Sequence, residues 1–447
     1  MHSRKFLFFG MWCGLLMLPS VDTWADNPSV SHAEKGLKAQ SQGKTTEAIQ
    51  WYTRALRLPH RLPRLTLAAV HGGRCQLLFA QSAQHQSPRL LNRALHDCDQ
   101  ALLLKSNHAP WYIIRGRARA IRGEWDQAAE EISMAILLRP EDAFLHLDRA
   151  RIYKNFNQIK ESLLDYDTFL QHQPDHHTGL LERGSLLLIN QDPQRALKDF
   201  SHAKTLHPKH GETLRLRAEA LIALERLPEA MTELDLSITA DPNNPESRLQ
   251  RGSLRASQRL YQLAAEDFRN AVAMAPDNPA MQANLGLIHF LQGHFQEAEQ
   301  VFQQAVQLQP DDPHALLWRY VASRRANKQE PLPSPPSSLN QAWPWPLFAL
   351  LQEQLTPEET WNAANNQPDP KIKPAATAEA LFFIAQYHLM RDNHPDARIW
   401  LGRILSAPKN DEVVTRLIAE EEMKRLDTTQ AMTRSNTTKT SGKKPPH

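Results

Sequence analysis

The sequence predicts an all-α fold: an α-solenoid of about eight helix-turn-helix repeats, followed by a repeat-like C-terminal hairpin. Three observations predict it. Prolines stand at 140, 174, 208, 242, 276 and 310, always 34 residues apart. In the same register small residues recur at the eighth position (Gly116, Ala150, Gly184, Ala218, Gly252, Gly286) and bulky apolar ones at the twenty-fourth (Ile132, Tyr166, Phe200, Leu234, Phe268, Phe302). Glycine is scarce, 16 in 447 residues, and no alternating strand pattern is found. A fixed period of this length marks a stacked array, which grows by adding units, so length does not set a domain count.

The elements follow in order. Residues 1–25 carry a positive start (Arg4, Lys5), an apolar run from Phe6 to Leu18, then Pro19 and the small-residue site Thr23-Trp24-Ala25. This reads as a cleaved Sec-type signal peptide, with an apolar core too short to span a bilayer comfortably. An uncleaved anchor is the alternative. Met11 and Trp12 before Cys13 are too large for a lipidation site. The expected mature chain is periplasmic or secreted, with no stable membrane span.

Residues 26–328 hold the solenoid, with units near 29–62, 63–108, 109–142, 143–176, 177–210, 211–244, 245–278 and 279–312, then a capping helix at 313–328. Gly36, Gly43, Ala48, Tyr52 and Ala55 place the first unit; Gly73, Ala94, Cys98 and Ala101 place the second. The second carries extra residues between its helices, around Ala80 to Pro88. In each unit two antiparallel helices cross at small residues, which recur at the twentieth position (Ala128, Ser162, Ala196, Ala230, Ala264, Ala298). The large residue at position twenty-four fills the space between neighbouring units. Proline closes the second helix, and each unit buries its face by stacking on the next.

A Pro- and Ser-rich linker, 329–342, follows. Residues 343–426 contain Trp343-Pro344-Trp345-Pro346, a short helix, and a hairpin at 378–411 with Ala385, Ala397 and Leu401 in repeat register. The polar tail, 427–447, is expected to be disordered.

Net charge is +3 with acids and bases interspersed, which gives no case for nucleic acid. There is no metalloprotease His-Glu-x-x-His, no Gly-x-Ser-x-Gly elbow and no phosphate loop. The chain is expected not to be an enzyme, and to need no cofactor or metal. His172, His176, His177, His207 and His210 sit at turns and read as solvated rather than zinc ligands. Trp51, Trp111, Trp318 and Trp400 read as core or cap residues.

The period and its small and large positions resemble the tetratricopeptide repeat (TPR) family. That resemblance implies a right-handed superhelix whose first helices line a concave groove, with positions two, five, nine, twelve and thirteen facing it. On this chain the candidate partner-binding residues are Ile113, Arg117, Phe144, Leu147, Arg151, Lys154, Asn155, Leu181, Arg215 and Glu219. Mixed apolar and cationic groups suit an extended peptide with acidic groups or a free carboxylate. The C-terminal part is similar to bacterial periplasmic TPR adaptor lipoproteins, which scaffold proteases and peptidoglycan hydrolases. The implied function is an exported scaffold for a protein or peptide partner. The alternative is a structural part of an envelope assembly for polysaccharide export, secretion or cytochrome maturation.

Three further expectations are specific. Cys75 and Cys98 face each other across the second unit and are candidates for a disulfide, the alternative being two small buried residues. Trp343 to Leu351 folds back over the apolar face of the eighth unit (Ala280, Ala283, Leu287, Phe290, Leu291) or over Leu317 and Val321. Finally, Arg115, Arg149, Arg183, Arg217 and Arg251 hold position seven in units three to seven, which carry Glu131, Asp165, Asp199, Glu233 and Asp267 at position twenty-three. The eighth unit loses both together, with Leu285 and Val301; the second has Gly72 and Asp97. The joint change predicts ion pairs between the two positions. A ladder of free arginines for an anionic polymer is the competing reading.

Overall fold

The computed structural model describes residues 27–332, 334–339, 342–407 and 413–441. The expected signal peptide lies outside these residues. All regular structure among the described residues is helical. No described helix is long and apolar enough to cross a membrane. The chain forms two compact units, one ending at Leu206 and the other beginning at His207.

In the first unit the repeats are the pairs α1 (Pro28–Ser41) with α2 (Thr45–Ala55), α3 (Arg64–His85) with α4 (Pro88–Leu104), α5 (Ala109–Ile121) with α6 (Trp125–Leu138), α7 (Ala143–Asn155) with α8 (Ile159–His172), and α9 (His177–Ile189) with α10 (Pro193–Leu206). The second unit continues with α11 (Gly211–Ala223) and α12 (Leu227–Ala240), α13 (Pro245–Ser257) and α14 (Tyr261–Met274), α15 (Pro279–Gln292) and α16 (Phe295–Leu308), capped by α17 (Pro313–Arg325). We number these pairs repeats one to eight and call their members helix A and helix B.

Local chemistry explains the boundaries. From repeat four onward the residue before helix A is a side-chain cap: Asp142, His176, His210, Asn244, Asn278, and Asp312 before α17. His176 Nδ1 accepts the Gly179 N–H at 3.0 Å, and His210 Nδ1 accepts that of Thr213 at 3.3 Å. Two of the turn histidines are thus helix caps rather than solvated groups. Burial first, and the Arg151 guanidinium second, hold His176 below its ordinary pKa, which keeps Nδ1 free to accept. In repeat two the left-handed residue of the turn is Gln86, just after α3. The turn within every other repeat passes through left-handed backbone at position fifteen. Gly43, Gly123 and Gly293 serve there, but so do Asn157, Gln191, Glu225 and Arg259.

The large residue at position twenty-four packs inside its own repeat as well as against the next: Tyr166 reaches Glu182 of repeat five, and Phe302 stacks on Trp318 of α17 with centroids 5.8 Å apart. A Cβ on Gly184 would lie 2.5 Å from the Phe200 ring, and Cβ atoms on Gly252 and Gly286 would lie 2.7 Å from Phe268 and Phe302. The small position exists so that this ring can reach the helix A backbone.

Repeat two departs from expectation. Its extra residues form no loop; they lengthen α3 to 22 residues. The disulfide between Cys75 and Cys98 forms, with Cα atoms 5.4 Å apart. Closing this loop contributes about 3 kcal/mol in the chain-entropy model.

Beyond α17 the second unit holds α18 (Trp345–Leu351), α19 (Pro357–Asn365), α20 (Lys373–Leu389), α21 (His394–Ser406) and α22 (Val413–Ser441). α20 and α21 are the expected hairpin. α19, opened by a Thr356–Glu359 capping box, was not expected. The tail expected to be disordered after Asp427 is helical as far as Ser441. Ile418, Ala419, Glu422 and Leu426 are buried and anchor the start of that helix, so propagation needs no new nucleus.

Candidate functional site

Two sets of charges run along the repeats, and they decide which surfaces are free. The first is the position-seven arginine. Arg149 donates through Nε and Nη2 to Asp165 at 2.7 and 2.8 Å, Arg183 to Asp199 at 2.8 and 2.6 Å, and Arg251 to Asp267 at 2.9 and 2.6 Å. Arg115 reaches Glu131 at 2.8 Å, and Arg217 pairs with Glu233. The carboxylates are nearly inaccessible, 2–7% exposed. Each of four arginines also grips the previous helix B at position twenty-five: Arg115 to Asp99 at 2.7 Å, Arg149 to Ser133 at 2.8 Å, Arg183 to Asp167 at 2.8 Å, Arg251 to Asp235 at 2.6 Å. One guanidinium therefore staples three helices. This excludes the reading of a free arginine ladder. The alternation Asp99, Ser133, Asp167, Ser201, Asp235 at position twenty-five was a legible signal for it.

Repeat two obeys the same rule with a shifted residue. Arg74, two positions after Gly72, donates to Asp97 at 2.7 and 2.8 Å and to Thr53 at 3.2 Å. Burial pushes the Asp97 carboxyl up, but hydrogen bonds from His71 and Arg74 outweigh it and hold the group below its usual range. Gly72 instead receives the Trp111 indole, whose ring atoms leave no room for a Cβ.

The second set lies on helix A, among the candidate partner-binding residues. In the first unit Arg117 Nε donates to Asp148 at 2.9 Å, and Arg151 Nε to Glu182 at 2.9 Å, each carboxylate one repeat further on. Tyr166 also donates to Glu182, at 3.3 Å. Asn155 Nδ2 donates to the Arg151 carbonyl at 2.8 Å. The Phe144 ring lies 5.4 Å from Phe169 and 5.9 Å from His176. Ile113, Lys154 and Leu181 are half-buried. Leu147 is 4% exposed and belongs to the core, so it offers nothing to a partner. In the second unit Arg215 donates to Glu212 at 2.7 Å and to Glu219 at 3.2 Å, and Glu219 accepts from Gln250 at 3.3 Å. The expected cationic groove is thus a neutralised one: Arg117, Arg151 and Arg215 all have carboxylate partners. Asp148 and Glu182 were missed, although each stands 31 residues after its arginine.

At the C-terminal end of the second unit the repeat edges are covered by the chain itself. α22 packs against α13, α15, α20 and α21. Glu420 accepts from Arg259 at 2.5 Å, Glu421 from Tyr261 at 3.2 Å, and Glu422 from Arg325 at 2.9 Å. Arg425 Nη2 donates to the Leu291 carbonyl at 2.5 Å, closing the end of α15. Phe382 of α20 stacks on Trp318, centroids 4.6 Å apart, and stands 6.2 Å from Phe290. The end of the array is self-occupied as expected, but by α20 and α22. The Trp-Pro segment joins the same core: Leu347 and Phe348 share it with Leu317, Val321 and Phe290, while α18 makes its main contacts with α19 and α20 and Trp343 Nε1 donates to Glu379 at 2.8 Å.

Family models described as tetratricopeptide repeat match residues 147–210 and 249–313, and a second such model matches 187–251. Among curated proteins the chain is 27% identical over 141 residues to a FAM10 family protein of Arabidopsis thaliana, covering 32% of this chain and 29% of that one. It is 29% identical over 119 residues to a TPR repeat-containing thioredoxin of the same plant, covering 26% and 28%. The chain therefore spans less than a third of the length of these relatives. Among solved structures, a tetratricopeptide repeat protein from Parabacteroides merdae aligns over 56% of this chain and 99% of its own, at 17% identity and TM-score 0.46. YrrB, described as a TPR protein with an unusual peptide-binding site, aligns over 42% and 97%, at 22% identity and TM-score 0.34.

Proposed function

We propose that this chain, which belongs to the tetratricopeptide-repeat family, is an exported, non-enzymatic scaffold holding a protein or peptide partner on the helix A face of repeats three to five. TPR proteins commonly bind such partners. One observation carries the reading. On that face half-buried Ile113, Phe144 and Leu181 alternate with Arg117 and Arg151, whose guanidinium groups Asp148 and Glu182 hold in place. Such a face offers apolar contact beside donors and acceptors fixed before binding, which lowers the ordering cost of recognition. Because the cations are paired, affinity rests on apolar contact and hydrogen bonding and changes little with salt.

Export is supported by the Arg4-to-Ala25 pattern and by the Cys75–Cys98 bridge, which persists in oxidising compartments. Organising envelope hydrolases or proteases is the finer form of this reading, and it rests on the resemblance of the C-terminal part. A photocrosslinking residue placed at Ile113 or Leu181 of the full chain should trap one protein species from envelope extract. Phe144→Ala with Arg151→Glu should abolish the trapping. Equal trapping from Leu164, exposed on α8, would overturn the assignment of the face. N-terminal sequencing of the purified protein should find Asp26 first; a start at Met1 would overturn cleavage.

A further inference from the structure

Repeats one and two differ from the rest of the array in charge. Residues 27–108 carry 11 Lys and Arg against 4 Asp and Glu, while the chain as a whole is only +3. Most of the imbalance is exposed. At one place it converges: Arg74 of α3 and Arg89, Asn92, Arg93 and His96 of α4 line an open cavity of about 520 Å³, and no carboxylate lines it.

The cavity is built rather than accidental in three respects. Arg89, Arg93 and His96 stand at i, i+4 and i+7, so one helix face presents all three. All three are exposed, and among the described residues none has a carboxylate within ion-pairing distance. Arg74 is held from behind: Asp97 and Thr53 take three of its five N–H groups and leave two. The disulfide then locks α3 to α4, because Cys75 follows Arg74 and Cys98 follows Asp97. The position-seven arginines are answered by acids at fixed spacings; here two guanidinium groups and an imidazole converge without an acid on a cross-linked frame.

We propose that this cavity is a binding site for phosphate-type oxyanions, spanning two adjacent groups such as a diphosphate or neighbouring phosphodiester headgroups. The span follows from the helix: Arg89 and His96 are separated along α4 by about 10 Å. The chemistry follows from the donors. Tetrahedral phosphate oxygens accept from several guanidinium forks at once, and two linked phosphates carry more charge and more acceptors than one carboxylate. The site lies apart from the partner face of repeats three to five and does not depend on it.

The probes are inorganic pyrophosphate by calorimetry, vesicles of phosphatidylcholine with phosphatidylglycerol by co-flotation, and an oligo-aspartate peptide. The full chain should bind pyrophosphate, the anionic vesicles or both. Arg89→Glu with Arg93→Glu should weaken that binding by about tenfold or more, with the helical circular dichroism unchanged. Rising salt should weaken it too. Binding of pyrophosphate without co-flotation identifies a soluble ligand; co-flotation abolished by the double substitution identifies a membrane headgroup. No binding to either at low salt overturns the proposal, as does equal binding by the charge-reversed variant. Binding of oligo-aspartate in place of pyrophosphate overturns the phosphate chemistry. Arg117→Glu should leave pyrophosphate affinity unchanged, which separates this site from the partner face.

Discussion

Repeats three to seven and repeat eight meet the same geometric demand with opposite chemistry. In the former, position seven is an arginine answered by a buried acid at position twenty-three. In repeat eight the pair is Leu285 and Val301, and the preceding position twenty-five is Arg269 rather than Asp or Ser. A guanidinium at position seven of this repeat would meet a like charge where its counterparts meet an acceptor. The apolar pair fits a repeat that joins a large apolar core together with α17, α20 and α22. Buried ion pairs set register while adding little net stability, because desolvation offsets most of the Coulomb gain. They serve where repeats repeat. Where the stack ends against a distinct segment, apolar burial replaces the periodic pair, and the buried acids there, Glu299 and Glu422, answer Lys328 and Arg325 instead.

The largest test of this contrast is Glu422→Ala. Glu422 is 1% exposed and answers both Arg325 and Arg425. Its loss should cost about 3–5 kcal/mol, the usual penalty for stranding buried charge, read by denaturant unfolding. A loss below about 1 kcal/mol would mean that α22 is not tied down through these pairs.

Next comes Asp199→Ala, which strands Arg183 and should cost about 1–4 kcal/mol. The double variant Arg183→Leu with Asp199→Val transplants the repeat-eight pair into repeat five and should recover most of that loss. If the double variant is as unstable as the single one, the staple does more than fix register.

A third prediction separates the two units by pH. His108, in the first, is lowered to about 4 by burial, reinforced by Lys105 and Arg139. The unfolded chain then takes up a proton that the folded unit refuses. His108 therefore leaves stability intact above about 6.5 and removes it as pH falls from there towards 4. His314, in the second unit, is raised by its hydrogen bond to Glu379, opposed by burial. Its contribution is full below about 6.5 and is lost as pH rises through the elevated folded value. Between pH 7 and 5, amide exchange should show protection falling around α5 and holding around α17. Parallel behaviour would refute the contrast.

The smallest effect concerns the turns. Gln191 has φ 59°, where Gly123 in repeat three has 79°. Gln191→Gly should stabilise by up to about 1 kcal/mol, as relief of left-handed strain exceeds the entropy cost of glycine. A lower melting temperature would show that the Gln191 side chain earns its place by contacts.

What the sequence determined by itself is whatever repeats. The 34-residue proline spacing, the small and large positions, and the joint loss of the position-seven arginine and the position-twenty-three acid in repeat eight are legible for one reason. Every unit stacks on a copy of itself, so one local rule is written many times. The Cys75–Cys98 bridge was foreseen from the same register. The tertiary structure alone decided what happens once. In repeat two the arginine that answers Asp97 is Arg74 rather than a residue at the place of Gly72, and no periodic rule marks that shift. Neutralisation of Arg117 and Arg151 depended on matching each to a carboxylate in the next unit. The occupant of the last repeats is set by contacts such as Arg425 to the Leu291 carbonyl, 134 residues apart. A contact made once over that distance leaves no pattern in the chain, because its energy comes from surfaces that exist only after both segments have folded.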